Sequence, residues 1–182
     1  PFMPEGARVL MLGSFPPTRE RWSMELFYPN FINDMWRIIG LIFFDDKHRF
    51  EIASKKCFDK ERIVEFCSSR GLALYDAASE VRRLKDNASD KFLEVVSPTN
   101  LHVMLEQLPE CRAIVTTGEK ASMIVASTFG CKLPRVGEYV DIQLFHRTLH
   151  FWRMPSSSRA YPLSLDKKAE QYRKMFTTEG VL

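Results

Sequence analysis

Four stretches of this chain are apolar with almost no interruption. Val9, Leu10, Met11 and Leu12 run together inside Arg8–Gly13 and stop at a Gly. Ala113, Ile114 and Val115 do the same inside Arg112–Gly118, and His150–Met154 and the shorter Leu72–Tyr75, which ends at Asp76, complete the set. Apolar runs without alternation predict strands covered on both faces, as in a parallel sheet. Helical spacing lies between them. Ile32, Met35, Trp36 and Ile39 share one face, with Gly40 as the expected stop. Asp59–Arg70 is amphipathic through Ile63, Phe66 and Cys67, and Gly71 ends it. Asn100 is placed to cap a helix reaching Leu108, ahead of Pro109. Glu119–Phe129 stops at Gly130, Leu165–Phe176 closes the chain, and Val136–Phe145 reads as a strand or hairpin arm beside the last buried strand. Strand and helix alternate. The predicted fold is therefore α/β, a three-layer α/β/α sandwich around a central, mainly parallel four-stranded sheet, in a single domain spanning 1–182.

Composition narrows this only a little. The 182 residues are 45% hydrophobic, enough for a sizeable core. No apolar run approaches the ~20 residues of a membrane span. The N-terminal residues lack the basic head and apolar centre of a secretion signal, so an intracellular, cytoplasmic location is expected. Cys57, Cys67, Cys111 and Cys131 are scattered, with neither C-x-x-C nor His at ligand spacing, which predicts reduced thiols and no metal or cofactor. Asn87-Ala88-Ser89 matches a glycosylation sequon but is read as chance without a secretion signal. The net charge of +3 permits a polyanionic partner without demanding one. Two basic clusters, Arg82/Arg83/Lys85 and Lys167/Lys168/Arg173/Lys174, are read as solvated faces.

In a parallel sheet, ligands bind where strands end at their carboxyl edge. Three loops qualify: Ser14–Arg19, Thr117–Lys120 and Pro155–Tyr161. In the first, Gly13 permits a tight turn or close approach, and Pro16 and Pro17 stiffen the path while removing two N–H donors. The last, Met154-Pro155-Ser156-Ser157-Ser158-Arg159, pairs small hydroxyls and backbone N–H groups with a planar cation, a composition suited to phosphate oxygens or to a plain solvated turn. No G-x-x-x-x-G-K-[ST] or G-x-G-x-x-G is present, which disfavours nucleoside triphosphate chemistry. His146 and His150 flank the last strand and are read as structural; no G-x-S-x-G elbow supports a Ser–His hydrolase.

Taken in order, LMLGSFPP, FYPNFINDMW, GLALYD, IVTTGEKA and MPSSSRAYP resemble the uracil-DNA glycosylase superfamily over nearly the whole chain. Met-Pro-Ser-Ser-Ser is similar to the DNA-inserting loop of thymine-DNA glycosylases. Gly-Ser-Phe-Pro and the Asn33–Trp36 string are more similar to the hypoxanthine-DNA glycosylase branch. The resemblance implies a metal-free, slow, monofunctional DNA N-glycosylase of base excision repair. It would act as a monomer on double-stranded DNA, flip a deaminated or mismatched base (hypoxanthine, uracil or G·T thymine) and hydrolyse its N-glycosidic bond.

Site roles follow from the resemblance residue by residue. Uracil- and mismatch-specific relatives carry a water-positioning Asp or Asn two residues after the first-loop Gly, where this chain has Phe15. Asn33 matches the Asn that the hypoxanthine branch uses instead, and is the candidate catalytic residue. The alternative is that Asn33 or Asn30 simply caps the helix. Asp34, Glu25 and Asp76 are reserve carboxylates. Gly13, Ser14, Phe15, Pro16 and Tyr28 are expected to bind the base, with Tyr28 stacking on it or packing in the core. Ser156, Ser157, Ser158, Arg159, Ala160 and Tyr161 are expected on DNA. Ala160 occupies the column of the intercalating Arg, which leaves Arg159 or Tyr161 to fill the vacated stack. Met154 stands where classical uracil enzymes have His, so leaving-group stabilisation falls to N–H groups or Ser hydroxyls. Two other readings stay open: a degenerate module that binds DNA damage without chemistry, and a small-molecule nucleoside hydrolase.

Overall fold

The computed structural model describes residues 1–84 and 92–182. Lys85 and the Asn87-Ala88-Ser89 sequon fall outside the described residues. The elements in chain order are β1 (Val9–Gly13), α1 (Met35–Phe44), β2 (Glu51–Ile52), β3 (Cys57–Phe58), α2 (Lys60–Arg70), β4 (Leu72–Asp76), β5 (Ala78–Arg83), β6 (Leu93–Pro98), α3 (Leu101–Glu106), β7 (Ala113–Thr117), α4 (Glu119–Phe129), β8 (Glu138–Leu144), β9 (Arg147–Met154) and α5 (Leu165–Thr178).

All four apolar runs are strands, and they lie side by side in parallel as β4-β1-β7-β9. The sheet has five strands rather than four. The extended segment after Val136 supplies β8, which pairs antiparallel with β9 from Glu138↔Arg153 to Leu144↔Arg147. Alternate residues of each buried strand feed opposite layers. Val9, Met11, Leu72, Leu74, Val115 and Trp152 pack toward α1, α2 and α5. Leu10, Leu12, Ala73, Ile114 and Phe151 pack toward α3 and α4. This two-sided burial explains why the runs show no polar alternation.

The helix ends follow the expected caps at Asn100, Gly71 and Gly130, and depart from them in α1. Asn100 caps α3 by accepting the Val103 N–H, and Asp59 caps α2 by accepting the Arg62 N–H. α1 runs straight through Gly40 to Phe44, with Asp45 in the left-handed region as its cap. A Cβ at Gly40 would collide with the Asp46 carbonyl, so this glycine serves close packing and not termination. Ile32 lies outside α1 and is 54% exposed, so it is not part of the apolar face assigned to it. Lys168 also departs from its reading as a solvated cation: with Leu165, Ala169, Tyr172 and Phe176 it shares the inward face of α5, and its side chain is 1% exposed.

The β5–β6 hairpin leaves the end of β4 and has no counterpart in the sequence reading. Arg82 and Arg83 sit on it. Arg82 pairs with Glu94, while the Arg83 guanidinium donates to the Pro16 carbonyl and ties the hairpin to the first loop. Among the described residues no helix is long and apolar enough to cross a membrane.

Candidate active site

β1, β4, β7 and β9 run in the same direction, so Gly13, Asp76, Thr117 and Met154 end at one edge of the sheet. The three candidate loops therefore leave the sheet at this one edge. The first loop is zipped onto the β4–β5 connection: Ala77 N–H donates to the Gly13 carbonyl and Ala78 N–H to the Ser14 carbonyl. Gly13 and Ser14 are buried, and Phe15 and Pro16 are half-buried. Gly13 is needed for close approach. A Cβ there would stand 2.8 Å from Asp76 Oδ1 and 3.7 Å from the Tyr28 ring. The Asp76 carboxylate and the Tyr28 ring thus both stand close to Gly13.

Tyr28 has φ +52°, a strained backbone for a bulky residue, and strain of this kind concentrates at functional sites. Its hydroxyl lies 3.1 Å from Thr117 Oγ1, and its ring meets Trp36 edge-on. Burial pushes the Tyr28 phenol above the ordinary tyrosine range; the Thr117 contact lowers it in part, and the nearby Asp76 charge raises it again. Tyr172, whose hydroxyl donates to the Pro155 carbonyl at 2.7 Å, is pushed up by burial and further by Tyr28 and Tyr161. Both phenols are neutral at physiological pH.

Asn33 is joined directly to the last loop. It forms an antiparallel bridge with Ser158, and the next amide, Asp34 N–H, donates to the Ser157 carbonyl at 2.9 Å. Asn33 Oδ1 accepts the Met35 N–H at 2.9 Å. Asp34 holds the cap position of α1, so Asn33 is not itself the helix cap; from one residue ahead, its carboxamide oxygen is fixed on the first turn of the helix. Asn30 holds the preceding turn by accepting the Ile32 N–H at 3.1 Å.

Two of the loop's serines turn inward. Ser156 Oγ accepts the Ser158 N–H, Ser158 Oγ accepts the Ala160 N–H, and Ser157 is buried. The Ser156 and Ser158 hydroxyls thus shape the loop, and each keeps its proton and a second lone pair for other partners. Gly118, at the start of α4, is close-packed on Ser156, and its N–H donates to the Met154 carbonyl. Arg159 and Ala160 are exposed and Tyr161 is half-buried.

The least expected feature is an ion cluster under this loop. Asp34, with a side chain 9% exposed, is met by Arg159 at 3.1 Å, Lys168 at 3.5 Å and Arg37 at 3.7 Å. Arg37 also pairs with Glu51 at 2.6 Å. Lys168 Nζ donates to the Ser158 carbonyl at 2.8 Å. Three cations face two carboxylates, so the cluster carries one surplus positive charge, with Arg159 half exposed at the lip. Asp34 is thereby committed to holding the loop. Of the other reserve carboxylates, Glu25 is exposed and paired with Arg19, and Asp76 stands beside Gly13 at the end of β4. The Lys168 position was readable from its spacing on the α5 face; its partner was not, because Asp34 is distant in sequence.

His150 belongs elsewhere. Its register partner is Ala113, the first residue of β7, so it sits toward the amino edge, bonded through Nδ1 to Glu179 Oε1 at 2.7 Å. Trp152 Nε1 donates to the same oxygen. This histidine is a structural hydrogen-bonder, remote from the serines. Two surface pockets, of about 220 and 310 Å³, lie away from these loops, against β8 and beside α5. Among the described residues no cluster of His, Cys, Asp and Glu fits a metal ion.

No protein-family model matches the chain, and no curated protein matches it. Solved structures do. The solution NMR structure of a "putative Uracil DNA glycosylase" from Methanosarcina acetivorans superposes with a TM-score of 0.62, covering 98% of this chain and 94% of that one at 18% identity. The two proteins share one fold. In this chain the candidate residues lie at the end of the four parallel strands from which the loops leave.

Proposed function

We propose that this chain is a monofunctional DNA glycosylase that works as a monomer on duplex DNA. It extrudes hypoxanthine, uracil or thymine opposite guanine and hydrolyses the bond to the sugar. The observation that carries the reading is the joining of Asn33 to the Ser158 loop at the edge where Gly13, Tyr28 and Asp76 meet. Water adds at the sugar carbon, and the base departs with the bonding electron pair and takes up a proton. Tyr28 offers a neutral ring face and hydroxyl to the flipped base. The Asn33 NH2 group donates to the base or to the water, and contributes by orientation, since a carboxamide is no base at neutral pH. Asp76 supplies negative charge near an oxocarbenium-like sugar. The cationic lip at Arg159 attracts backbone phosphates.

Labelled duplexes containing uracil, hypoxanthine or a G·T mismatch test the proposal under single-turnover conditions. Abasic product is expected from at least one, and none from all three overturns it. Asn33→Ala is expected to lower the rate by about 10²–10³, the scale of one lost positioned donor, with DNA affinity nearly unchanged. A second reading, damage binding without chemistry, is favoured by Phe15 in the first loop and by the engaged Asn33 oxygen. Preferential binding of damaged duplex with no product would select it.

A further inference from the structure

We propose that Ile32 is the side chain that enters the base stack when a nucleotide is extruded; this rests on the glycosylase reading for its substrate, but not for its test. Ile32 was expected on the buried face of α1, and instead it is one of the most exposed large apolar residues, at 54%. An exposed apolar side chain alone is ordinary. What sets this one apart is its support and its neighbours. Its turn is clamped on both sides: Asn30 accepts the Ile32 and Asn33 N–H groups, and Arg37 donates to the Phe31 and Asn33 carbonyls. The apolar blade therefore projects from a rigid base, which lowers the entropy lost on insertion.

The antiparallel bridge pairs Asn33 with Ser158. Ile32 directly precedes this bridge in the chain and Arg159 directly follows it, so both flank the junction. Among the exposed large apolar residues described, Ile32 alone adjoins this junction. The two residues expected to fill the stack are both engaged in the loop itself. Arg159 is held through Nε and Nη2 on Asp34 Oδ1, and Tyr161 is half-buried with its N–H donated to the Ser158 carbonyl. The division of labour is then clear. Arg159 stays on Asp34 at the phosphates, and Ile32 unstacks the bases, as branched apolar wedges do elsewhere.

The experiment compares wild type, Ile32→Ala and Ile32→Leu on duplexes carrying 2-aminopurine beside the lesion. Its fluorescence reports unstacking without requiring cleavage. Ile32→Ala is expected to abolish most of the fluorescence rise and to slow single-turnover excision from duplex by about tenfold, the scale of losing a half-buried branched side chain. Excision from single-stranded DNA, which has no stack to open, is expected to stay within a factor of two or so. Ile32→Leu is expected to retain both signals. An unchanged fluorescence rise in Ile32→Ala overturns the wedge, and so does an equal loss on single strands. Wild-type protein that unstacks duplex without product would remove the glycosylase reading and leave the wedge in place. Wild-type protein that neither unstacks nor cuts would remove both. Because Ile32 is exposed, its variants are expected to melt with wild type, so folding does not confuse the result.

Discussion

Replacing Lys168 with Met tests whether the buried ion cluster holds the serine loop in place. The ammonium makes a charge-assisted hydrogen bond to the Ser158 carbonyl and an ion pair with Asp34, and its side chain is 1% exposed. Truncating one partner of a buried pair costs about 3–5 kcal/mol when the other charge is stranded. Asp34 is not stranded here, since Arg159 and Arg37 remain beside it. Met also fills the aliphatic volume and removes the desolvation of the ammonium. What is left is chiefly the Ser158 carbonyl without its donor, which sets the expected loss at about 2–3 kcal/mol. For a chain of this size that is a fall in Tm of roughly 4–12 °C. Urea and thermal unfolding measure it, and a cycle with Asp34→Asn separates the pair from the packing, with a coupling of at least about 1 kcal/mol expected. The loss should persist at about 1 M salt, because buried pairs are weakly screened. A loss below about 0.5 kcal/mol, or strict additivity with Asp34→Asn, would refute the reasoning.

Two further outcomes are expected. Gly13→Ala would drive a methyl group into Asp76 Oδ1, so it should lower stability by about 1–3 kcal/mol and depress any excision, as seen in unfolding curves and single-turnover rates; wild-type behaviour in both would mean that the close approach is unimportant. Burial pushes the Cys67 thiol up to about 12 in the folded chain. The unfolded thiol ionises near pH 9, so only the unfolded state loses this proton as pH rises, and stability should fall between about pH 9 and 12 by up to about 1.4 kcal/mol per pH unit. Denaturant midpoints across that window should fall less steeply for Cys67→Ala, and an unchanged slope would contradict the assignment.

The strands and most helices were legible because their signals are local. An uninterrupted apolar run reports burial on both faces, and Asn100, Asp59 and the glycines at 71 and 130 report helix ends through backbone chemistry of their own neighbourhood. Gly40 misled for a related reason. Its role is a close approach to Asp46, and nothing in the adjacent residues distinguishes packing from termination. Ile32 misled because a three-and-four spacing extends past the point where Asn33 and Asp34 begin the helix.

The apolar runs alone determined that β1, β4, β7 and β9 would be buried strands, and their parallel pairing obliged the loops after them to share one edge. The sequence also supplied the residue types at that edge. Only the tertiary structure decided how they engage: that Arg159 is held by Asp34, that Lys168 is buried beneath Ser158, and that Ile32 stands in solvent. The reason is physical. Burial and backbone pairing within a strand are set by residues a few positions apart, whereas the charge and hydrogen-bond partners of a side chain are set by whatever distant segment the fold brings within about 3 Å of it.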